Sequence, residues 1–288
     1  MDNTITCKAY AKINLGLDVV RRLPNGYHEV RMIMQNVGIY DVLTFAKAEE
    51  GILLQVDNQE VPADGNNLIC KAAKLLLETA GIQGGVRITL EKNIPIAAGM
   101  AGGSTDAAAA FLGINELYEI GYDIEQLKAL GVKIGADVPY CIQGGTALAE
   151  GIGEVLSELP APPACHLLVA KPDINVSTKF VYENLRANEL EYHPDIDGMI
   201  KALDLGDLKG ITDRLGNVLE TVTVPAYPII QEIKGVMLAA GAENALMSGS
   251  GPTVFGIFTN KDQAEAAAEA IRNAELAKQV FVTGFVNN

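Results

Sequence analysis

The sequence predicts an α+β fold, and three features carry that reading. The first third is rich in alternating, β-forming residues. A strand near residue 88 then leads through a run of very small residues into an alanine-rich helix, and the second half alternates strands with helices. Residues 4–22 and 27–37 read as strands. The Pro24-Asn25-Gly26 turn signal between them makes a hairpin that brings Lys12 and Asn14 toward the strand beyond Tyr27-His28. Shorter strands follow near 41–47 and 52–57. Asn66-Asn67 then stands ahead of Leu68, Ile69, Ala72, Ala73, Leu75 and Leu76, a helical stripe that stops at Gly81. Val86 to Leu90 reads as a strand, and Asp106 to Leu117 as a helix of strong intrinsic propensity.

Helices are expected near 124–130 and from Asp137 to Gln143, where the chain meets a second glycine turn, Gly144-Gly145. Beyond it, strands near 146–150, 165–170, 252–258 and 279–285 alternate with helices near 178–187, 196–204, 228–240 and 261–274. At about 150 residues per domain, 288 residues suggest two lobes or one large unit. A soft boundary in Pro160-Ala-Pro-Pro163 gives an N-terminal lobe of residues 1–160 and a C-terminal lobe of residues 161–288.

Composition narrows the partners. Lys and Arg number 22 against 36 Asp and Glu, a net charge of −14, and both halves are acidic. No nucleic-acid partner and no anionic membrane surface are expected, while a local basic pocket for a phosphorylated small molecule remains compatible. No apolar run approaches the roughly 18–20 residues of a membrane span. Met1-Asp2-Asn3-Thr4 lacks the basic-then-apolar pattern of a signal peptide, so a cytoplasmic protein is expected. Cys7, Cys70, Cys141 and Cys165 are far apart, with only His28, His166 and His193 to join them. That spacing indicates neither a zinc site nor a disulfide framework, and each cysteine reads as a small buried residue. The sequence sets no oligomeric state.

The run Pro95-Ile-Ala-Ala-Gly-Met-Ala-Gly-Gly-Ser-Thr105 is where chemistry is expected. Between Gly99 and Thr105 side chains are nearly absent, so a polyanion can approach the backbone. The positive end of the following helix, with its unpartnered N–H groups, then faces a phosphate. Ser104 and Thr105 place hydroxyls near the cap, suited to a phosphate oxygen or a magnesium-bound water. The loop is not a G-x-x-x-x-G-K-[ST] motif, because Gly103 precedes Ser104, and the spacing of Gly99, Gly102 and Gly103 excludes G-x-G-x-x-G. The plainer alternative is a tight strand-to-helix turn capped by Ser104.

Pro95 to Thr105 resembles the phosphate loop of the GHMP kinases, the superfamily of galactokinase, homoserine kinase and mevalonate kinase. Leu246-Met-Ser-Gly-Ser-Gly-Pro-Thr-Val-Phe-Gly256 is similar to its C-terminal Gly-Ser-Gly signature. Ala11-Lys-Ile-Asn14, Pro24-Asn-Gly-Tyr-His28, Gly135-Ala-Asp-Val-Pro139 and Gly144-Gly-Thr146 resemble the branch whose acceptor is a cytidine diphosphate ester of methylerythritol. The resemblance runs in order from about residue 7 to 285. Ala97 and Ala101 lie where relatives often carry Gly, and Thr105 where Ser is usual. The resemblance implies a two-lobed GHMP-kinase-like fold with mixed and antiparallel sheets, helices and a cleft between lobes. It also implies ATP with Mg²⁺, and phosphoryl transfer to a small-molecule hydroxyl in non-mevalonate isoprenoid precursor synthesis.

By the same resemblance, Asp137 deprotonates the hydroxyl and Lys12 steadies developing negative charge, which is what phosphoryl transfer asks of a protein. Read without it, Asp137 before Val138-Pro139 is a helix cap and Lys12 a solvated charge. Pro95, Ile96, Ala97, Ala98, Gly99, Met100, Ala101, Gly102, Gly103, Ser104 and Thr105 would cradle the phosphates. Asn67 and Lys92 match positions near the adenosine, with a helix cap and a surface lysine as their alternatives. Tyr27 and His28, with Tyr182, match a cytosine slot, and Asn14 and Thr178 match substrate-side polar positions. No residue is assigned to metal. Rival readings are another acceptor, such as homoserine, a sugar or mevalonate, and a catalytically silent ligand sensor with this fold.

Overall fold

The computed structural model describes residues 4–287, so Met1–Asn3, the start of the segment read for a signal pattern, lie outside the described residues. In chain order the elements are β1 (Thr4–Arg22), β2 (His28–Ala48), β3 (Ile52–Val56), α1 (Leu68–Ala80), β4 (Gly85–Glu91), α2 (Gly102–Leu117), α3 (Ile124–Gly131) and α4 (Val138–Gln143). They continue with β5 (Thr146–Glu150), β6 (Val155–Glu158), β7 (His166–Lys171), α5 (Thr178–Asn184), α6 (Ile196–Asp204), α7 (Leu208–Thr212), β8 (Gly216–Asn217) and α8 (Glu220–Ala226). The last are α9 (Ile229–Ala239), β9 (Asn244–Met247), β10 (Val254–Phe258), α10 (Lys261–Asn273) and β11 (Gln279–Thr283). A mixed seven-stranded sheet and an antiparallel four-stranded sheet match the predicted class.

The chain divides into two compact units that interleave along the sequence. One unit holds the chain to Ala11 with Ile39–Ile94 and Ala101–Gly144; the other holds Lys12–Gly38, Pro95–Met100 and Gly145–Asn288. The reason lies in strand length. β1 and β2 have 19 and 21 residues, about 60 Å when extended, so each runs from one unit into the other. The expected break near residues 38–40 is absent because Gly38 lies within β2. Its N–H donates to Gly284 O at 3.0 Å, and a Cβ there would press on Thr283.

In the first unit, α1 and α2 cover β4 and the second half of β2, which pair antiparallel with Leu43 opposite Leu90. α1 begins at Asn67, whose Oδ1 accepts from Ile69 N–H at 2.9 Å, and ends at left-handed Gly81, as its sequence predicts. Ala107 to Ala110 on α2 are all buried, and their small volume lets α1 lie close. In the second unit, the sheet order is β11-β7-β10-β9. α9 buries Ile230, Ile233 and Met237, and α10 buries Ala264, Ala267, Ala268 and Ile271, both packing against that sheet. β8 pairs parallel with β1, placing Asn217 opposite Leu17.

Candidate active site

The small-residue run turns through left-handed backbone, with φ of 51° at Ala97, 69° at Gly99 and 57° at Ala101. Glycine is required at 99 because a Cβ there would overlap the carbonyl oxygen of Ser248. Each alanine holds its conformation against about 1–2 kcal/mol of steric cost. α2 starts at Gly102, two residues before Ser104, with Ala101 as a cap that supplies no side-chain hydrogen bond. Thr105 N–H reaches Ala101 O at 2.9 Å, which leaves the N–H groups of Gly102, Gly103 and Ser104 without partners inside the helix.

This start corrects the expected cap: Ser104 and Thr105 are helical residues. They also differ from one another. Thr105 Oγ1 donates inward to Tyr10 O at 2.9 Å and the residue is buried, so its hydroxyl is not the phosphate-facing group expected. Ser104 is half-buried, and its hydroxyl makes no hydrogen bond among the described residues.

The Lys92 side chain is buried between two carboxylates, against the surface-lysine alternative. Its Nζ bonds Asp41 on β2 and Asp106 on α2, the latter at 2.8 Å, with side-chain exposures of 5%, 0% and 4%. Asp41 Oδ1 also accepts the N–H groups of Asn93 at 2.5 Å and Ile94 at 2.7 Å. A Cβ on Gly102 would come within 3.0 Å of the Lys92 ammonium, so that charge lies directly beneath the first residue of α2. Burial pushes the Asp106 carboxyl up to about 8, with Lys92 opposing the rise and Asp41 adding to it. A protonated Asp106 leaves the trio without net charge, which suits its enclosure. Asn67 uses its whole amide locally, Oδ1 on α1 and Nδ2 on Pro62 O at 2.7 Å.

Asp137 is the N-cap residue of α4, where the helix-cap alternative puts it, but its carboxylate makes no capping hydrogen bond. In the second unit, Lys12 is 5% exposed rather than solvated. Its Nζ donates to Asn14 Oδ1 at 2.8 Å, and Asn14 Nδ2 points to Met32 Sδ at 3.3 Å. The Lys12 backbone N–H donates to Met100 O at 3.2 Å, which ties β1 to the small-residue run.

His28 and Tyr182 bring their rings to a centroid distance of 5.1 Å, tilted by 36°, while Tyr27 stands 59% exposed just ahead of β2. Burial, and after it the Arg22 charge, pulls the His28 imidazole below its ordinary value and favours the neutral ring. Thr178 Oγ1 meets Ser250 Oγ at 2.9 Å, and Ser248 Oγ donates to Gly99 O at 2.9 Å, so the Gly-Ser-Gly loop packs on Pro95–Met100.

Asp41, Asp106 and Asn217 were not singled out by the sequence. For Asp106 a signal exists, since it is the lone charge on an otherwise small and apolar first stretch of α2. Among the described residues no three His, Cys, Asp or Glu side chains gather as a metal site. The Ser104 hydroxyl beside bare backbone is of a chemistry that would fit an ion carried on a nucleotide's phosphates.

Residues 67–145 match the GHMP kinases N terminal domain and residues 199–278 match the GHMP kinases C terminal. The chain belongs to the GHMP kinase family. It is 52% identical over 281 residues to the 4-diphosphocytidyl-2-C-methyl-D-erythritol kinase of Lachnospira eligens, covering 97% of this chain and 98% of that protein. To the kinase of the same name from Lachnoclostridium phytofermentans it is 51% identical over 282 residues, covering 98% and 97%. The crystal structure of a 4-(cytidine 5'-diphospho)-2C-methyl-D-erythritol kinase superposes with a TM-score of 0.85 at 35% identity, covering 99% of this chain and 100% of that one.

The Asp106 environment has a measurable consequence. A carboxyl raised from 3.8 to about 8 binds a proton in the folded state that the unfolded chain has released, so its contribution to stability falls as pH rises from about 4 to about 8. Asp106→Asn removes that titration. Denaturant melts of wild type and variant should show the variant gaining on wild type across this window, by at most about 1.4 kcal/mol per pH unit. A constant difference across the window contradicts the assignment.

Proposed function

We propose that this chain transfers the γ-phosphoryl group of ATP to a hydroxyl of the methylerythritol unit of 4-diphosphocytidyl-2-C-methyl-D-erythritol, giving ADP and the 2-phosphate. The carrying observation is full-length identity of about half to kinases named for that substrate. The geometry supplies parts suited to it. In this reading the triphosphate lies on the small-residue run, with the N–H groups of Gly102, Gly103 and Ser104 and the α2 dipole offsetting its charge. Pro95, Ile96, Ala97, Ala98, Gly99, Met100 and Ala101 let it approach the backbone. Thr105 acts from beneath, fixing the helix start to β1. Lys92 likewise supports Gly102, and Asn67 shapes the entry to α1 near the adenosine.

Charge spreads over the transferring oxygens in phosphoryl transfer, so placement and electrostatics dominate. Asp137 accepts the proton of the attacking hydroxyl. Lys12, held by Asn14, presents a desolvated ammonium to developing negative charge, where it acts more strongly than in water. Ser104 would offer its hydroxyl to a magnesium ion carried on the nucleotide, which would supply neutralisation of phosphate charge. Tyr27, His28 and Tyr182 form the cytosine slot: the exposed Tyr27 ring offers a stacking face, and neutral His28 offers one donor and one acceptor to the base. Thr178 borders the acceptor side. The cytoplasmic location expected from the sequence goes with this reaction.

The deciding experiment is ADP release by the purified protein with Mg²⁺-ATP and 4-diphosphocytidyl-2-C-methyl-D-erythritol, run beside homoserine, galactose and mevalonate. Turnover of the cytidine compound alone is expected. Turnover of another acceptor instead would discard the cytosine slot, and silence on all four despite ATP binding would favour a sensor. Asp137→Asn should abolish most turnover while leaving ATP affinity within a few-fold; a variant retaining most of its rate sinks the base assignment. Tyr27→Ala should raise KM for the cytidine substrate by roughly one to two orders, with base stacking taken at ~1–3 kcal/mol. An unchanged KM moves the slot elsewhere.

A further inference from the structure

Asn217 is 5% exposed at the end of β8, beside Leu17 of the strand that carries Lys12 and Asn14. Its Nδ2 donates to two carbonyl oxygens, Met247 O and Gly249 O, each at 2.8 Å, and its Oδ1 accepts Leu219 N–H at 2.9 Å. Satisfying two carbonyls from one short side chain takes an amide, since a carboxylate or hydroxyl of that reach lacks the second donor. The carbonyls it holds lie just before the Gly-Ser-Gly loop and at its first glycine, and the loop closes on itself through Ser248 N–H to Thr253 O and Gly251 N–H to Ser248 O, both at 2.9 Å.

From that loop two contacts lead to opposite halves of the proposed reaction. Ser248 Oγ donates to Gly99 O at 2.9 Å, on the nucleotide side, and a Cβ on Gly249 would come within 2.9 Å of the same oxygen. The two loops therefore meet backbone to backbone. Ser250 Oγ meets Thr178 Oγ1 at 2.9 Å at the first turn of α5, the helix whose Tyr182 faces His28 on the acceptor side. Strand β9 has a separate anchor: Glu220 accepts Met247 N–H at 2.8 Å and is itself paired with Lys234 at 2.7 Å. Asn217 reaches past the strand end to the carbonyl inside the loop at Gly249, and Thr223 Oγ1 donates to the next one, Ser250 O, at 3.3 Å.

We infer that Asn217 is a positioning residue for phosphoryl transfer, setting through the Ser248–Gly251 loop both Gly99 under the nucleotide and Thr178 beside the acceptor. The inference rests on the kinase reading above. It acts through placement: removing the amide leaves two buried carbonyls without a donor, the loop shifts to satisfy them, and Gly99 and Thr178 move with it. A shift of that kind separates the reacting groups without abolishing either binding surface, so the rate suffers more than the affinities.

The test compares steady-state kinetics of wild type, Asn217→Ala, Ser248→Ala and the double variant, using Mg²⁺-ATP and 4-diphosphocytidyl-2-C-methyl-D-erythritol, with thermal melts of each. Asn217→Ala is expected to lower kcat about tenfold to a hundredfold while both KM values move less than about threefold. Ser248→Ala, which removes only the Gly99 link, should lower kcat in the same direction, and the double variant should fall little beyond Asn217→Ala because both act along one path. An unchanged kcat in Asn217→Ala, or losses in the two variants that simply multiply, overturns the inference. If Asn217→Ala does not fold, Ser248→Ala decides: wild-type kcat overturns it. A silent wild type removes the kinase reading and this inference together, whereas an active wild type with unaffected variants removes this inference only.

Discussion

A multiply charged phosphate reaches backbone N–H groups only where no side chain stands in the way, and in the proposed function that demand falls on residues 95–105. It removes side chains from the run, so the run cannot hold itself by packing of its own. Its neighbours hold it. Lys12 N–H takes Met100 O, Ser248 Oγ and the backbone of Gly249 close on Gly99 O, and the Lys92 ammonium lies beneath Gly102. Two alanines in left-handed backbone show the same constraint, because surrounding contacts override a local preference that opposes them.

The support beneath α2 is electrostatic, and its composition matters. One ammonium between two enclosed carboxylates would carry a net negative charge at the positive end of α2. Burial raises the Asp106 carboxyl and favours its protonated form, which lowers that charge and, in the proposed function, suits the helix end to a phosphate. Asp41 adds a second function by accepting two backbone N–H groups just after β4, so the same carboxylate that pairs with Lys92 also sets where the chain leaves the sheet.

The second unit gathers a different set of functions. A desolvated Lys12, a His28–Tyr182 ring pair and the Gly-Ser-Gly loop all belong to it, although their positions in the chain span more than two hundred residues. Hydrogen bonds of Asn217, Thr178 and Thr223 to the loop make these parts one network rather than adjacent fragments. A kinase with a nucleotide on one side and a nucleotide-bearing acceptor on the other needs such a link, because in-line transfer depends on the two being placed together.

Local physics was legible in the sequence. The Pro24-Asn25-Gly26 turn, the Asn67 cap, the Gly81 stop and the bare loop before α2 follow from residue conformational preference and hydrogen-bonding capacity, and the order of motifs was enough to expect the family. What local preference leaves open, tertiary contact decided. Ser104 and Thr105 are chemically alike and adjacent, yet only the position of Tyr10 O separates an inward hydroxyl from an available one. Lys92 resembles any lysine after a strand until Asp41, 51 residues earlier, and Asp106 close over it. Asn217 carries no motif at all, and its importance lies in two carbonyls some thirty residues ahead. Burial of a charge and satisfaction of a carbonyl are properties of what packs nearby, and sequence proximity does not encode them.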